Sequence, residues 1–248
     1  MPAFETYRDR YESLHLERED GILVVRLHTN GGTLLWNEPV HRELGLAFAE
    51  ISADDGNRVV ILTGTGSAWC EAMDGSKWEK VPTALGWDKI YAEGRRLYNN
   101  FLDIDAPVIA AVNGPAPIHG CLAVMSDIVL AADTATFGDP THFAAGIVPG
   151  DANQLIWPMV LGFNRGRYML LTGEVIGARE MHALGVVNEV LAPDALMPRA
   201  WELARKLNQY PDLMLRYTRR ALNQELRARM RAALDQGLAI EGLAFLQR

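Results

Sequence analysis

Three short apolar runs constrain the fold of this chain more than any other feature of its sequence. They are RVVILT at residues 58–63, PVIAAV at 107–112 and IVLAA at 128–132. A continuous run of this length, without polar alternation, predicts a strand that is buried on both faces of a parallel sheet. Amphipathic helical patterns and glycine- and proline-rich connections separate the runs. The alternation of strands and helices predicts a layered α/β protein.

The remaining patterns extend this prediction along the chain. We expect a strand at 21–28, a helix from Asn37 or Glu38 to about Ser52, and a long helix at 87–103. Residues 1–20 are expected to have little structure, and 81–86 to form a loop. After a helix at 154–162, helices dominate apart from a short run at 186–190. The last three are predicted at 195–208, 211–229 and 232–246.

Composition restricts the possible partners and the compartment. The net charge of the 248 residues is −7, and no long run of Lys or Arg occurs, which argues against nucleic acid or an anionic membrane. No apolar run reaches the roughly 18–20 residues that span a bilayer. The polar, acidic start is unlike a signal peptide. Cys70 and Cys121 lie far apart in apolar contexts, which predicts reduced, buried thiols and a cytoplasmic protein.

The stretch TFGDPTHFAAGIVPGD, residues 136–151, joins the third apolar run to a predicted helix. Its glycines and prolines predict a loop, and loops at such positions often carry functional residues. It contains His142 and, nine positions later, Asp151. A histidine held by a carboxylate acts as a general base near neutral pH. Asp151 also follows Pro-Gly, where it could cap the next helix instead, and the stretch alone leaves both interpretations open.

Metal and dinucleotide cofactors are not favoured by the motifs. The chain has no HxxxH or HxH spacing, and its candidate site histidines lie on separate segments. The glycines at 64 and 66 form GTG but not a full GxGxxG. We therefore predict neither a metal nor another cofactor.

Four segments in order resemble the crotonase (enoyl-CoA hydratase/isomerase) superfamily. They are VVILTGTGSAWCEAMD, PVIAAVNGPAPIHGCLAVMSDIVLAAD, TFGDPTHFAAGIVPGD and LTGEVIGAREMHALGVVNEV. The resemblance implies an α/β fold with a spiral ββα core over residues 1–190. It also implies a helical C-terminal segment, 191–248, that takes part in oligomerisation and completes the active site. Members form trimers that often pair into hexamers, and usually stabilise an enolate of a CoA thioester with two backbone N–H groups.

The sequence departs from that pattern at the residues that carry hydratase chemistry. Ile118-His119-Gly120 stands where the superfamily has three glycines, and Glu71-Ala72-Met73 replaces the usual Ala-Gly-Ala. The two catalytic glutamates align with Leu122 and with Thr141 or His142. We therefore expect the acid/base pair of a hydratase to be missing and the thioester oxyanion hole to be disrupted.

What replaces these residues resembles the β-diketone hydrolase branch of the superfamily. The matching residues are Trp36, His41, His119, His142, Asp151 and Glu241. The resemblance implies hydrolysis of the C–C bond between two carbonyls of a cyclic or bicyclic β-diketone. This retro-Claisen reaction gives a keto acid and uses no CoA.

The chemistry suggests a role for each of the four strongest candidates. Water must be deprotonated as it attacks one carbonyl, and we assign this to His142, oriented by Asp151. The leaving carbon must depart as an enolate, which preorganised donors stabilise. We assign the donors to His119 and the indole N–H of Trp36, which bind the carbonyl oxygens.

The remaining candidates have supporting roles. His41 and Glu241 are predicted to form a second ionisable pair, and Trp78 to form an apolar wall for a greasy substrate. His15, His28 and His182 are interpreted as structural. Two other functions remain open: an acyl-CoA-acting hydratase, isomerase or decarboxylase with relocated catalytic residues, and a non-catalytic assembly subunit.

Overall fold

A computed structural model describes residues 3–70, 72–77 and 83–247 and places a six-stranded sheet at the centre of the fold. The strands in this part of the chain are β1 (Leu14–Glu19), β2 (Ile22–Leu27), β3 (Leu35–Trp36), β4 (Val59–Thr63), β5 (Ala72–Met73), β6 (Val108–Val112), β7 (Ile128–Ala132), β8 (Thr136–Gly138), β9 (Val175–Gly177) and β10 (Glu189–Leu191). The main sheet has the order β1-β2-β4-β6-β7-β10. Only the β1–β2 pair in it is antiparallel. The predicted layered α/β fold is therefore confirmed.

Ten α-helices surround the sheet in the described residues. They are α1 (Glu38–Ala53), α2 (Ala84–Asp103), α3 (Gly120–Val124), α4 (Pro140–Ala144), α5 (Asn153–Leu161), α6 (Phe163–Thr172), α7 (Ala178–Ala183), α8 (Pro193–Asn208), α9 (Asp212–Leu222) and α10 (Gln224–Leu246). Short 3₁₀ turns lie at Phe4–Thr6 and Gly75–Lys77. None of the described helices combines the length and apolarity needed to cross a membrane.

The three apolar runs are the central strands β4, β6 and β7, and all but Thr63 of their residues are apolar because both faces of the sheet are covered. On β4, Val60 and Leu62 belong to the large core that also contains residues of α1 and α2. Val59 and Ile61 belong to a second core on the opposite face, shared with α8. Burial on both faces removes the polar alternation that a half-exposed strand would show.

Capping residues set the starts of α1 and α2, the two long helices in the first half of the chain that contribute residues to the site. The side chain of Asn37 caps α1 by accepting from the N–H of Val40, and Pro39 suits the first turn. The hydroxyl of Thr83 caps α2 by accepting from the N–H of Gly86. The two helices pack closely, since a Cβ on Gly45 of α1 would lie 3.1 Å from the backbone of α2.

Four predictions about local structure were wrong. Residues 1–20 contain β1, whose alternation of buried and exposed residues suits an edge strand that pairs with β2. The 136–151 stretch contains β8 and α4, because Pro140 occupies the first turn of a short helix instead of breaking it. Near the C-terminus the helix break falls at Asn223, which separates α9 from α10. The predicted loop at 81–86 gives way to α2 at Ala84, and its first two residues lie outside the described part.

The predicted division at residue 190 coincides with a change in structure but stays a prediction. Strand β10 ends at Leu191, and α8, α9 and α10 follow. Helix α8 packs on the sheet, whereas α10 packs against α2 and α5. This second contact brings the C-terminal helix to the cavity described next.

Candidate active site

One cavity, with a volume of ≈ 300 Å³, is lined by residues from segments across the whole chain. All six predicted catalytic residues line it: Trp36 on β3, His41 on α1, His119 before α3, His142 on α4, Asp151 before α5 and Glu241 on α10. Most of the remaining wall is apolar and includes Trp87, Ile90, Ile118, Leu238 and Phe245. The predicted apolar wall residue Trp78 lies outside the described residues. A small, mostly apolar cavity with a few convergent polar groups is typical of a site for a compact organic ligand.

The imidazole of His142 is oriented by a carboxylate that the sequence analysis did not single out. Its Nδ1 lies 2.7 Å from Oδ1 of Asp139, three positions earlier on the same turn. Its Nε2 lies 3.5 Å from Oδ1 of Asp151 and 3.6 Å from Oε1 of Glu241. The orienting hydrogen bond therefore comes from Asp139, which corrects the prediction for Asp151. When Nδ1–H donates to Asp139, neutral His142 has its lone pair on Nε2.

Three buried carboxylates around one imidazole set the electrostatics of the site. Burial alone would lower the pKa of His142, but the charge of Asp151 and the bonds to Asp139 and Glu241 raise it well above its usual range. Burial raises the pKa of Asp151 to about 7, against the opposing effect of His142. Burial likewise raises the pKa of Glu241. The pKa of Asp151 therefore lies close to neutral pH, the range that suits an acid/base catalyst.

The backbone of His119 has a conformation that favours glycine. Its φ is 49°, in the left-handed region, at the N-cap of α3. A non-glycine residue there costs roughly 1–3 kcal/mol, and such strain is concentrated at functional sites. The ring stacks on Trp36 with centroids 3.6 Å apart and an interplanar angle of 24°. Burial holds the pKa of His119 well below its usual range, with His41 and His142 adding to the effect, so the imidazole is neutral.

The second predicted ionisable pair is replaced by a different one. Nδ1 of His41 lies 3.4 Å from Oε2 of Glu93 on α2, and both side chains are buried. Glu241, the predicted partner of His41, lies beside His142 instead. The structure thus pairs His41 with Glu93, because packing of α1 on α2 places these two residues opposite each other.

Asp151 does not cap the following helix. The N-cap position of α5 is occupied by Ala152, in a left-handed conformation. The Asp151 carboxylate accepts a hydrogen bond of 2.7 Å from the side-chain amide of Asn153. Asn153 accepts in turn from the indole of Trp157 at 2.8 Å. This chain of bonds holds Asp151 at the cavity, with Oδ1 toward His142 and Oδ2 3.5 Å from Nδ1 of His119.

Three contacts of the site were missed in the sequence. They involve Asp139, Glu93 and Tyr98, whose hydroxyl lies 3.0 Å from Nδ1 of His119. A signal existed for Glu93, a charge that falls among the buried residues of α2. No such signal marked Asp139. It lies three positions before His142, a spacing that brings side chains together on a helix, but this stretch was interpreted as a loop.

The remaining three histidines lie away from the cavity, and three of the site residues have a spacing that a metal ion could use. His15, His28 and His182 do not line the cavity; they contact Glu17, Gly31 and Val187, respectively. Among the described residues, ligand atoms of His142, Asp151 and Glu241 lie within 4.8 Å of one another, a spacing that would permit a cation. The absence of a metal from the chemistry stays a prediction.

Helix α10 reaches the site through an unusually close backbone contact. A Cβ added to Gly237 would lie 2.2 Å from the carbonyl oxygen of Gly150, in the turn just before Asp151. A Cβ on Gly150 would lie 2.1 Å from the carbonyl oxygen of Gly237. Only glycine permits this approach at either position. Glu241, one turn after Gly237, is thereby placed beside His142.

Replacing Gly237 with Ala is expected to destabilise the protein by about 1–3 kcal/mol, as overpacking typically does. Alanine favours a helix interior over glycine, so the expected loss of stability comes from the backbone clash. Activity should also fall, because Glu241 moves away from His142. Thermal unfolding and kcat measure the two effects. Gly177→Ala is the matched control, since a Cβ there meets nothing within 4 Å; equal behaviour of the two variants would contradict the contact.

Comparison with known proteins identifies the family. The enoyl-CoA hydratase/isomerase family profile matches residues 17–243. The chain belongs to this family, the crotonase superfamily, as the sequence predicted. The short-chain-enoyl-CoA hydratase of Clostridium acetobutylicum is 31% identical over 93% of this chain and 87% of that protein.

Solved structures extend the comparison. A β-diketone hydrolase from Anabaena sp. PCC 7120, bound to (S)-3-oxocyclohexyl acetic acid, is 46% identical with a TM-score of 0.96. The match covers 100% of this chain and 98% of that one. An enoyl-CoA hydratase/isomerase from Mycobacterium paratuberculosis is 27% identical, with a TM-score of 0.88 over 96% and 95% of the two chains. The crotonase fold predicted from the motifs is therefore confirmed.

Proposed function

We propose that this protein hydrolyses the C–C bond between the two carbonyls of a cyclic or bicyclic β-diketone, without CoA. The observation that carries the proposal is the convergence of three rings on one small apolar cavity: the His142 imidazole among its carboxylates, and the His119 and Trp36 rings, each of which can supply an N–H donor. The similarity to the Anabaena β-diketone hydrolase supports it.

The first step is attack of water on one carbonyl carbon. Neutral His142, with Nδ1–H bonded to Asp139, accepts a proton from water at Nε2. The nearby Asp151 and Glu241 carboxylates stabilise the imidazolium that forms. The product of this step is a tetrahedral alkoxide, and positioned general bases of this kind contribute typically about 100- to 10,000-fold to the rate.

The second step breaks the C–C bond. The alkoxide collapses to a carboxylic acid, and the bonding pair leaves on the carbon next to the second carbonyl, whose oxygen takes the enolate charge. His119 and the indole N–H of Trp36 donate to that oxygen. The enolate carbon then takes a proton, which balances the proton that His142 removed from water. The net change is addition of one water to one diketone.

The ligand of the Anabaena enzyme indicates the substrate class. The reverse of hydrolysis would remove water from 3-oxocyclohexyl acetic acid and join its acid carbon to the ring carbon opposite the side chain. The result is a bicyclic diketone in which both carbonyl carbons are bonded to the same bridgehead carbon. A diketone of this size suits a cavity of ≈ 300 Å³. We propose the same substrate class for this chain.

Acyl-CoA chemistry is the second candidate, favoured by the hydratase names of the relatives at about 30% identity. Against it, the two glutamate positions of a hydratase hold Leu122 and Thr141 or His142. His119, moreover, places a ring in the cavity where a glycine would leave room.

The test is to incubate the protein with bicyclo[2.2.2]octane-2,6-dione and, separately, with crotonyl-CoA. We expect a keto acid with the mass of diketone plus water, and no hydration of crotonyl-CoA. Turnover of crotonyl-CoA alone would overturn the proposal. Turnover of neither by folded protein would reject both enzymatic candidates on these substrates and favour an assembly subunit.

Replacing Asp139 with Asn is expected to shift the acidic limb of kcat/KM to lower pH. Below its pKa His142 is protonated and cannot accept a proton, so activity of the native protein should rise with pH above 6.5, the ordinary value. The asparagine side chain would keep an acceptor for Nδ1–H but lose the charge that raises this pKa. The pH profile of kcat/KM checks the shift. Asp133→Asn, on an exposed residue, is the control; an unmoved limb in the Asp139 variant would contradict the role of Asp139.

We also propose that the chain forms trimers, alone or in pairs. Support comes from large apolar side chains exposed on the C-terminal half, among them Phe163, Leu171, Leu213 and Leu243. Apolar surface of this kind is common where subunits meet. The cytoplasmic location stays a prediction.

A further inference from the structure

A line of three buried side chains runs from the core to the cavity. The hydroxyl of Tyr98 lies 3.5 Å from Sγ of Cys121 and 3.0 Å from Nδ1 of His119. Tyr98 and Cys121 are fully buried, and neither lines the cavity. Among the described residues, no hydrogen bond engages Nε2 of His119, the ring nitrogen left to face a ligand.

The hydrogen atoms in this line have two self-consistent arrangements. In the first, the Cys121 thiol donates to the Tyr98 oxygen, and the Tyr98 hydroxyl donates to Nδ1 of His119. In the second, Nδ1–H of His119 donates to Tyr98, whose hydroxyl donates to sulfur. They differ in what His119 offers the cavity, because the first leaves an N–H at Nε2 and the second leaves a lone pair.

Hydrogen-bond chemistry favours the first arrangement. A hydroxyl donating to an imidazole nitrogen makes a strong bond, whereas sulfur is a weak acceptor and the thiol a weak donor. In the first arrangement the Tyr98 hydroxyl therefore donates to the better acceptor, the imidazole nitrogen. Burial also raises the pKa of both the Cys121 thiol and the Tyr98 hydroxyl, so each keeps the proton that it must donate.

Asp151 acts against this arrangement. Its Oδ2 lies 3.5 Å from the same Nδ1 of His119 and, when ionised, attracts an N–H there. The contact with Tyr98 is shorter, at 3.0 Å, and within ordinary hydrogen-bond range. The two groups thus compete for the tautomer of His119, and removing the Tyr98 hydroxyl would leave Asp151 unopposed.

We propose that Tyr98 is a positioning residue that holds His119 as the Nε2–H tautomer, so that the ring presents a donor to the substrate carbonyl oxygen. The inference rests on the proposed function, in which the His119 N–H donates to the substrate oxygen. Cys121 supports it by donating to the Tyr98 oxygen. Trp36, stacked on His119, fixes the plane of the ring but does not select its tautomer.

The first test is the protonation pattern of His119 in the full-length protein, by ¹⁵N NMR of the imidazole nitrogens. The His119 signals are assigned by their loss in His119→Gln. We expect a protonated Nε2 and an unprotonated Nδ1 in the native protein, and a shift toward protonated Nδ1 in Tyr98→Phe. The control is Tyr7→Phe, which removes an equally buried hydroxyl, bonded to Asp54 and Asn57. A native Nδ1–H tautomer, or an unchanged tautomer in Tyr98→Phe, would overturn the proposal.

The second test is a double-mutant cycle in kcat. Partners that orient an imidazole through its other nitrogen typically contribute about 10- to 100-fold, as seen for metal-bound histidines. We expect Tyr98→Phe to lower kcat by about this factor, with a smaller change in KM, and Tyr7→Phe to leave kcat unchanged. In a His119→Gln background, Tyr98→Phe should have little further effect. An equal loss in both backgrounds would show that Tyr98 acts through the fold alone. Absence of diketone turnover would reject the proposed function, whereas the NMR result stands independently.

Discussion

Replacing His142 with Gln is expected to lower kcat for a bicyclic β-diketone by about 100- to 10,000-fold, the range of a lost general base. Glutamine fills most of the same space and still offers a donor to Asp139, but its amide cannot accept a proton from water. The change should leave KM within a few-fold, because the apolar wall of the cavity is untouched. Steady-state kinetics with quantified keto acid measures the effect.

The control for this variant is His15→Gln, at an exposed residue of β1 that pairs with Glu17. We expect it to behave as the native protein. Thermal unfolding should show that the His142 variant remains folded. Retention of kcat within about threefold of the native value would mean that one of the carboxylates deprotonates water directly, and His142 would lose its assigned role.

His142 differs from the catalytic glutamate of a hydratase in how its basicity is set. A buried glutamate becomes a better base through desolvation, which raises its pKa, whereas desolvation lowers the pKa of an imidazole. Here three carboxylates, Asp139, Asp151 and Glu241, outweigh that effect. In the proposed mechanism, the positive charge that develops on His142 during water attack thus meets carboxylates that are already in place.

The main layers of the fold could be predicted because a buried parallel strand has a distinctive sequence. The runs that became β4, β6 and β7 admit few other structures once their length and lack of alternation are considered. Helix α4 could not be predicted in this way. Its five residues are too few to show a helical period, and its proline and flanking glycines are also loop residues.

The 136–151 stretch alone pointed to His142 and Asp151, but the other four candidate catalytic residues could be predicted only through the resemblance, and the observed pairings could not be predicted. Six residues from distant segments have no local pattern in common, so matching motifs had to relate them. Their pairings depend on how segments pack: α1 against α2 places Glu93 at His41, and α10 against the Gly150 turn places Glu241 at His142. A sequence pattern that spans one element carries no information about such contacts.

Replacing Asp151 with Asn is expected to lower kcat by about 100- to 1,000-fold, because it removes a charge that stabilises the His142 imidazolium. The new amide side chain can keep the bond from Asn153, so the backbone should not move. Loss of the charge also lowers the pKa of His142, which should extend the remaining activity to lower pH. Rates measured across the pH range test both effects; native kcat in this variant would remove Asp151 from the mechanism.

The same variant is expected to gain stability relative to the native protein as pH rises, in contrast to its loss of activity. In the folded protein the pKa of Asp151 is raised to about 7, whereas an unfolded chain has about 3.9. Between these values the folded state binds more protons, so native stability falls as pH rises through this window. The asparagine of the Asp151→Asn variant does not titrate and should flatten that part of the curve. Thermal unfolding of both proteins from pH 4 to 8, with Asp133→Asn as control, checks this, and parallel curves would show that Asp151 is ionised throughout.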